Sequence, residues 1–305
     1  MPTHYIQANT NGRLHPASEP SITPLNRGFL YGDAIYEVWR TYHGVIFAWE
    51  EHWERMRASA RALHMGLEFT PEKILSEVRR TTCAFRSAVH DRGELYIRLQ
   101  VSRGSGPIGL DTALADHSEF VLLVQPCPEL PSAKAATGLR LSTALALRRN
   151  PTQSLNPEWK TGNYLNNLLC LREARARGAD EVVMLNFSGE LTECAVSNIG
   201  FIKDGAFITP PMSAGILGGI TRKLLLDGIA ASAGVAGSER TILPGDIDSM
   251  QECFVMSTTK DVVPVGEIDG VAFTVGPHTV SARLKAAFAE AARRYALEHP
   301  ELAAW

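Results

Sequence analysis

The chain has 305 residues, 45% of them hydrophobic, which is more core than one hydrophobic centre usually organises, so two domains are expected. Thirty Lys plus Arg nearly balance 33 Asp plus Glu, without a basic block or an acidic tail, which argues against nucleic acid as a partner. The amino-terminal stretch MPTHYIQANTNGRL lacks the apolar run of a signal peptide, and no apolar stretch is long enough to span a bilayer, so a soluble, cytoplasmic protein is expected. Cys83, Cys127, Cys170, Cys194 and Cys253 are scattered and odd in number, with no C-x-x-C pair, and read as reduced thiols rather than a disulfide frame or a zinc site.

Hairpin signals alternate with short β-rich runs: Asn11-Gly12, His43-Gly44, Asp204-Gly205 and Asp269-Gly270. Such pairs accept positive φ, so much of the sheet is expected to be antiparallel. Trp49, Trp53, Met56, Ala60 and Leu63 recur at helical spacing, and Thr70-Pro71 caps a second helical series, Ile74, Val78 and Phe85. Both helices are expected to cover one face of a first sheet. In residues 96–101, Ile97, Leu99 and Val101 point one way and Tyr96, Arg98 and Gln100 the other, making the polar triplet a candidate site wall. After an apolar strand at 120–125, PCPELPSAKAATG is poor in large apolar residues and reads as a linker. The domains are therefore placed at 1–126 and 139–305, with the linker at 127–138. The second domain is expected to hold a helix over 163–177 stopped by Gly178, strands near 182–186 and 199–202, a helix from about Gly219, and a last amphipathic helix over 279–297.

Three segments carry chemistry: W-K-T-G-N-Y-L-N-N-L-L-C-L-R-E-A at 159–174, S-G-E-L-T-E-C-A-V-S-N-I-G-F at 188–201, and T-P-P-M-S-A-G-I-L-G-G-I-T-R at 209–222. Lys160, flanked by Trp159 and Tyr164, has the setting of an amine whose pKa is lowered by a partly apolar pocket, which suits Schiff-base formation. Taken alone, a lysine ahead of a helix lies on the surface about nine times in ten. By the same standard Glu193 alone reads as a strand-edge acid, Tyr164 as a core aromatic and Arg55 as a helix-surface arginine. Gly218-Gly219-Ile220-Thr221 offers close approach and amides at a helix N-terminus, the simplest cradle for a phosphate, and Ser257-Thr258-Thr259 offers further donors. No H-E-x-x-H or paired histidine spacing occurs, so no metal is expected, and no Gly-Lys-Ser/Thr follows residues 215–219, which excludes a nucleotide P-loop there.

With R-G-F-L-Y-G-D-A-I-Y-E-V-W-R and E-H-W-E-R-M-R-A-S-A near the N-terminus and V-M-S-T-T-K-D-V-V-P-V later, these segments resemble the signature of the class IV (fold type IV) aminotransferases, in order and spacing, over most of the chain. That family includes branched-chain and D-amino-acid aminotransferases and aminodeoxychorismate lyases. The resemblance implies a two-domain α/β (α+β) fold type IV protein with its active site at the domain interface, pyridoxal 5′-phosphate as cofactor, and a homodimer whose subunits lend one another pocket residues. It implies that Lys160 forms the internal aldimine and carries the proton between Cα and the cofactor's C4′. Glu193 would keep the ring nitrogen protonated, Tyr164 would bond the phenolic oxygen, and Leu217 would pack on the ring. Arg55, Gly219, Ile220, Thr221, Ser257 and Thr258 would hold the phosphate, and Tyr31, Tyr36, Tyr96, Arg98 and Thr259 would line the substrate pocket.

The substrate signals are mixed. Ala195 and Val196 stand where D-type enzymes carry serines, and R-G-S-G-P-I-G-L-D at 103–111 lacks the histidine of their R-x-H element. Tyr96-Ile97-Arg98 and the T-P-P segment are similar to branched-chain enzymes, whereas Ser257-Thr258-Thr259 and Y-G-D-A-I-Y-E-V are similar to the D-type. The reading is transamination between an L-branched-chain amino acid and 2-oxoglutarate, with a D-amino-acid or amine transaminase and an aminodeoxychorismate lyase as alternatives.

Overall fold

All four hairpin dipeptides adopt the geometry their composition favours: φ is 51° and 91° at Asn11-Gly12, 51° and 80° at His43-Gly44, 52° and 79° at Asp204-Gly205, and 49° and 92° at Asp269-Gly270. Positive φ at both central residues matches the twist of the flanking strands, so each pair closes a tight hairpin. The computed structural model describes residues 5–90, 92–115 and 117–305. It divides into two compact units: the described residues up to Pro128 with Trp159–Asn163 and Ala292–Trp305, and Glu129–Glu158 with Tyr164–Ala291.

The first unit holds β1 (Gln7–Thr10), β2 (Arg13–Pro16), α1 (Arg27–Tyr31), β3 (Ala34–Tyr42), β4 (Val45–Ile46), α2 (Trp49–Ala62), α3 (Pro71–Val89), β5 (Leu95–Ser102) and β6 (Glu119–Pro126). Its strands form one antiparallel sheet in the order β2-β1-β6-β5-β3-β4. The Thr70 hydroxyl accepts the Lys73 amide at 3.2 Å and Pro71 opens α3, so a cap fills one of the amides a helix start leaves unpaired. On β5, Ile97, Leu99 and Val101 are fully buried while Tyr96, Arg98 and Gln100 are half-buried on the other face. The aliphatic face joins Ile74, Val78 and Phe85 of α3 and the aromatic stack Trp39–Trp49–Trp53, with ring centroids 4.9 and 6.1 Å apart, in one core. Each such side chain contributes about 1.5–3 kcal/mol when fully buried.

The second unit holds α4 (Ser132–Thr137), β7 (Leu139–Thr143), α5 (Leu165–Ala176), β8 (Glu181–Leu185), β9 (Leu191–Cys194), β10 (Asn198–Lys203), β11 (Ala206–Thr209), α6 (Ile220–Leu224), α7 (Ala230–Ser232), β12 (Gly237–Glu239), β13 (Glu252–Ser257), β14 (Asp261–Ile268), β15 (Val271–Ala272) and most of α8 (Val280–Glu298). The sheet order is β12-β11-β10-β13-β14-β7-β8-β9, with β15 on β14. Pairs β11/β12, β14/β7 and β7/β8 are parallel and the others antiparallel.

Two elements differ from the expectation. Residues 127–138 include α4, an Ala-rich turn pinned by an ion pair between Lys134 and Asp180 at 2.5 Å. And α5 starts at Leu165 rather than at 163, because residues 160–162 are drawn into backbone pairing with β3. On β3, strand β4 covers Thr41 and Tyr42, and the backbone groups near residue 35 take another partner: the Tyr36 amide donates to the Lys160 carbonyl at 2.9 Å and the Gly162 amide to the Ala34 carbonyl at 3.0 Å.

Candidate active site

In the first unit that pairing sets Lys160 beside Tyr36. The Lys160 amide donates to the hydroxyl of Ser59 on α2 at 3.1 Å, and the Asn163 side chain donates to the Gly32 carbonyl at 2.9 Å, so the segment is fixed on both sides of the lysine. Lys160 Nζ donates to the Tyr36 phenol oxygen at 3.2 Å. The Arg98 guanidinium lies 3.9 Å from the centre of the Tyr36 ring and donates to Gln100 Oε1 at 2.8 Å. Of the predicted pocket residues, Tyr36 thus meets the lysine and Arg98 lies over the Tyr36 ring. Tyr96 lies opposite Arg40 on the β3/β5 ladder. The hydroxyl of Tyr31, at the end of α1, accepts the Gly109 amide at 3.0 Å.

Arg55 belongs to a buried cluster that the sequence did not announce. Its Nε and Nη2 donate to Glu37 Oε1 and Oε2 at 2.7 and 2.8 Å, and His52 Nδ1 lies 2.7 Å from Glu37 Oε2. Glu37 is fully buried and His52 is 1% exposed. Burial alone pushes the Glu37 carboxyl up, but Arg55 and His52 together hold it well below the usual carboxylate range. For His52 burial wins: with the charges of Arg55 and Lys160 it outweighs the pull of Glu37 and holds the imidazole below its ordinary value.

In the second unit, Glu193 lies on the edge strand β9 yet is only 4% exposed. Arg149 donates to its Oε1 through Nε at 3.0 Å and Nη2 at 2.9 Å, while Asn198 Nδ2 and the Leu217 amide donate to Oε2, each at 3.1 Å. Four N–H contacts on two oxygens form a donor set that suits an acceptor-only carboxylate. Asn198 Nδ2 also donates to the Leu217 carbonyl at 3.0 Å, tying β10 to the turn before α6. That turn leaves no room at Gly219, where a Cβ would collide with Asn198 Oδ1. Gly219 caps α6 without any side-chain cap bond, and Ile220 and Thr221 form its first turn, both buried. The helix packs on β13, whose last residue, Ser257, has a buried hydroxyl with no hydrogen-bond partner among the described residues. Thr258 and Thr259 follow in the turn to β14, and Tyr164 stands at the N-cap of α5. Motif reading missed Glu37, His52, Ser59, Arg149 and Asn198, because each acts through a partner brought close only by folding.

Among the described residues, no group of three or more His, Cys, Asp or Glu side chains could hold a metal ion, and no helix is long and apolar enough to cross a membrane.

The family profile for amino-transferase class IV matches residues 34–268. A Methanocaldococcus jannaschii protein assigned as a branched-chain-amino-acid aminotransferase is 34% identical over 260 residues, 85% of this chain and 87% of that protein. The D-alanine aminotransferase of Listeria innocua is 28% identical over 281 residues, 92% of this chain and 94% of its own. Among solved structures, the branched-chain aminotransferase of Thermoproteus uzoniensis with norvaline has a TM-score of 0.82 at 28% identity, covering 95% of this chain and 94% of that one. A second branched-chain amino acid aminotransferase, solved with pyridoxamine 5′-phosphate, has a TM-score of 0.85 at 26% identity, covering 97% of both chains. The chain therefore belongs to the class IV aminotransferases, with the fold type IV architecture. It is a pyridoxal-phosphate-dependent aminotransferase.

Proposed function

We propose that the enzyme moves the amino group of an L-branched-chain amino acid to 2-oxoglutarate, with Lys160 as its working lysine and Glu193 as the acid at the cofactor's ring nitrogen. The observation that carries the reading is the surround of Glu193, a buried carboxylate fixed by four donors. When bound, pyridoxal phosphate supplies an aldehyde to take the amino group and a ring that draws electrons from the substrate's Cα. Glu193 would hold a proton at the ring nitrogen, Leu217 would pack on the ring and Tyr164 would bond its phenolic oxygen. Lys160 Nζ would hold the cofactor through its aldehyde and carry the proton taken from the substrate's Cα. The residues fit the phosphate as well: the closely packed Gly219, the uncapped start of α6 at Ile220 and Thr221, and the unpartnered Ser257 hydroxyl suit a dianion, with Thr258 and Arg55 adding donors. Tyr31, Tyr36, Tyr96, Arg98 and Thr259 are assigned to the substrate pocket.

A homodimer is part of the same proposal. Its support is the exposure of Phe29, Ile108 and Leu110 in the first unit and of Leu165, Leu168 and Phe187 in the second, large apolar side chains that a second subunit would cover. A D-amino-acid transaminase is the second reading, favoured by the D-alanine aminotransferases among the relatives.

Borohydride reduction of the loaded enzyme followed by peptide mapping should fix the cofactor on Lys160. Lys160→Ala should bind cofactor reversibly and lose turnover by several orders of magnitude. A label on another lysine, or near-normal turnover, refutes the assignment. Half-reaction spectra with L-leucine, D-alanine and an (R)-amine, side by side, decide the donor: the proposal requires L-leucine to react fastest.

A further inference from the structure

Tyr36 and Lys160 are joined twice. The backbone pairing of residues 34–36 with 160–162, including a bridge between Ile35 and Thr161, fixes their register. A one-residue slip would bring the opposite face of β3, and Glu37, towards the lysine. The side chains then meet: Nζ lies 3.2 Å from the phenol oxygen and 4.3 Å from the ring centre, over the hydroxyl edge of the ring. The ring is 6% exposed and carries the Arg98 guanidinium as a second cation, so cation–π attraction and packing hold it still.

We infer that Tyr36 is a positioning residue for Lys160: its hydroxyl receives the lysine amine whenever substrate has released it from the cofactor, and keeps Nζ within reach of the reacting carbon. The inference rests on Lys160 being the working lysine. A lysine side chain has about 2 kcal/mol of rotamer entropy, and proton transfer needs the atoms within about 3–3.5 Å. A wandering amine would reach that geometry seldom. A phenol suits the task because it accepts from an ammonium and donates to a neutral amine, so the contact survives each protonation change of a group that takes up and returns a proton. Phenylalanine would keep the ring and its cation contacts and lose the hydroxyl's contact with Nζ. A mere wall of the substrate pocket, by contrast, acts on how well the amino donor saturates the enzyme.

The test is Tyr36→Phe, which removes one oxygen and leaves the packing intact. Pyridoxal 5′-phosphate is added to the cofactor-free protein and growth of the visible band is followed by stopped flow across a pH series, and the loaded enzyme is then reacted with L-leucine in the single half-reaction. Cofactor capture and the maximal half-reaction rate should each fall at least about tenfold, the worth of one hydrogen bond to a charged group, with a displaced pH profile. Rates and profile within about twofold of the parent, or a change confined to the half-saturating concentration, overturn the inference. Borohydride mapping of the parent keeps the two ideas apart: a label on Lys160 with a neutral Tyr36→Phe sinks only the positioning role, whereas a label elsewhere sinks the assignment of the lysine.

Discussion

Arg149→Met tests the electrostatics of Glu193 directly. The wild-type guanidinium makes two contacts to one carboxylate oxygen, with the two side chains 10% and 6% exposed. Removing one partner of a buried pair costs roughly 3–5 kcal/mol, because the remaining charge stays in a poor solvent. Here Asn198 and the Leu217 amide still serve the other oxygen, which places the cost near the lower end, about 3 kcal/mol. At roughly 2–4 °C per kcal/mol the cofactor-free protein should melt about 6–12 °C lower by scanning calorimetry. Adding Glu193→Gln removes the stranded charge, so the double variant should recover part of that loss. A melting point within about 1 °C of the parent, or a double variant no better than Arg149→Met, would refute the reasoning.

Two further outcomes follow from the geometry. Gly219 has φ −67°, which alanine adopts readily, so Gly219→Ala acts through its overlap with Asn198 alone; overpacking of about 1–3 kcal/mol should weaken cofactor binding about tenfold. Gly218→Ala, whose Cβ would meet Met212 Cε at an ordinary 3.5 Å, should bind nearly as the parent does. Equal affinities for both variants in a pyridoxal-phosphate titration would remove the steric argument. The lowered imidazole of His52 stabilises the fold fully above the ordinary histidine value of 6.5 and progressively less as pH falls below it, because the unfolded chain then takes up a proton the native state refuses. The depressed Glu37 carboxyl adds a second loss, beginning only below the ordinary glutamate value of 4.5. Urea unfolding should therefore weaken between pH 7.5 and 5 (chosen to bracket the histidine value), and His52→Gln should flatten that slope; an unchanged slope would count against the buried neutral ring.

The sequence made legible whatever local chemistry decides. Gly-containing dipeptides marked the hairpins because few residues tolerate positive φ, Thr70-Pro71 marked a helix start because a cap and a proline act within one turn, and alternation placed Ile97, Leu99 and Val101 inside. What stayed hidden depends on partners distant along the chain. Glu37 meets Arg55 across 18 residues and Arg149 meets Glu193 across 44, with no spacing rule to join them. α4 escaped because its neighbouring prolines suggested a linker, and the true start of α5 escaped because it depends on residues 160–162 leaving helical geometry to pair with β3. The family signature named Lys160 and Glu193 but left out the residues that fix them in place. Donor preference stays unreadable for a related reason: relatives named as branched-chain-amino-acid and as D-alanine aminotransferases match at similar identity.

The first unit is not one continuous stretch of chain. Its sheet edge at β3 is completed by Trp159–Asn163, and its core takes in Leu302 and Ala304, with the Ala304 amide bonded to the Gly44 carbonyl at 3.0 Å. On the ribosome, then, this unit cannot finish until Ala304 has emerged. A gene cut after Pro128 would yield an orphan lacking both its lysine-bearing clip and its closing tail.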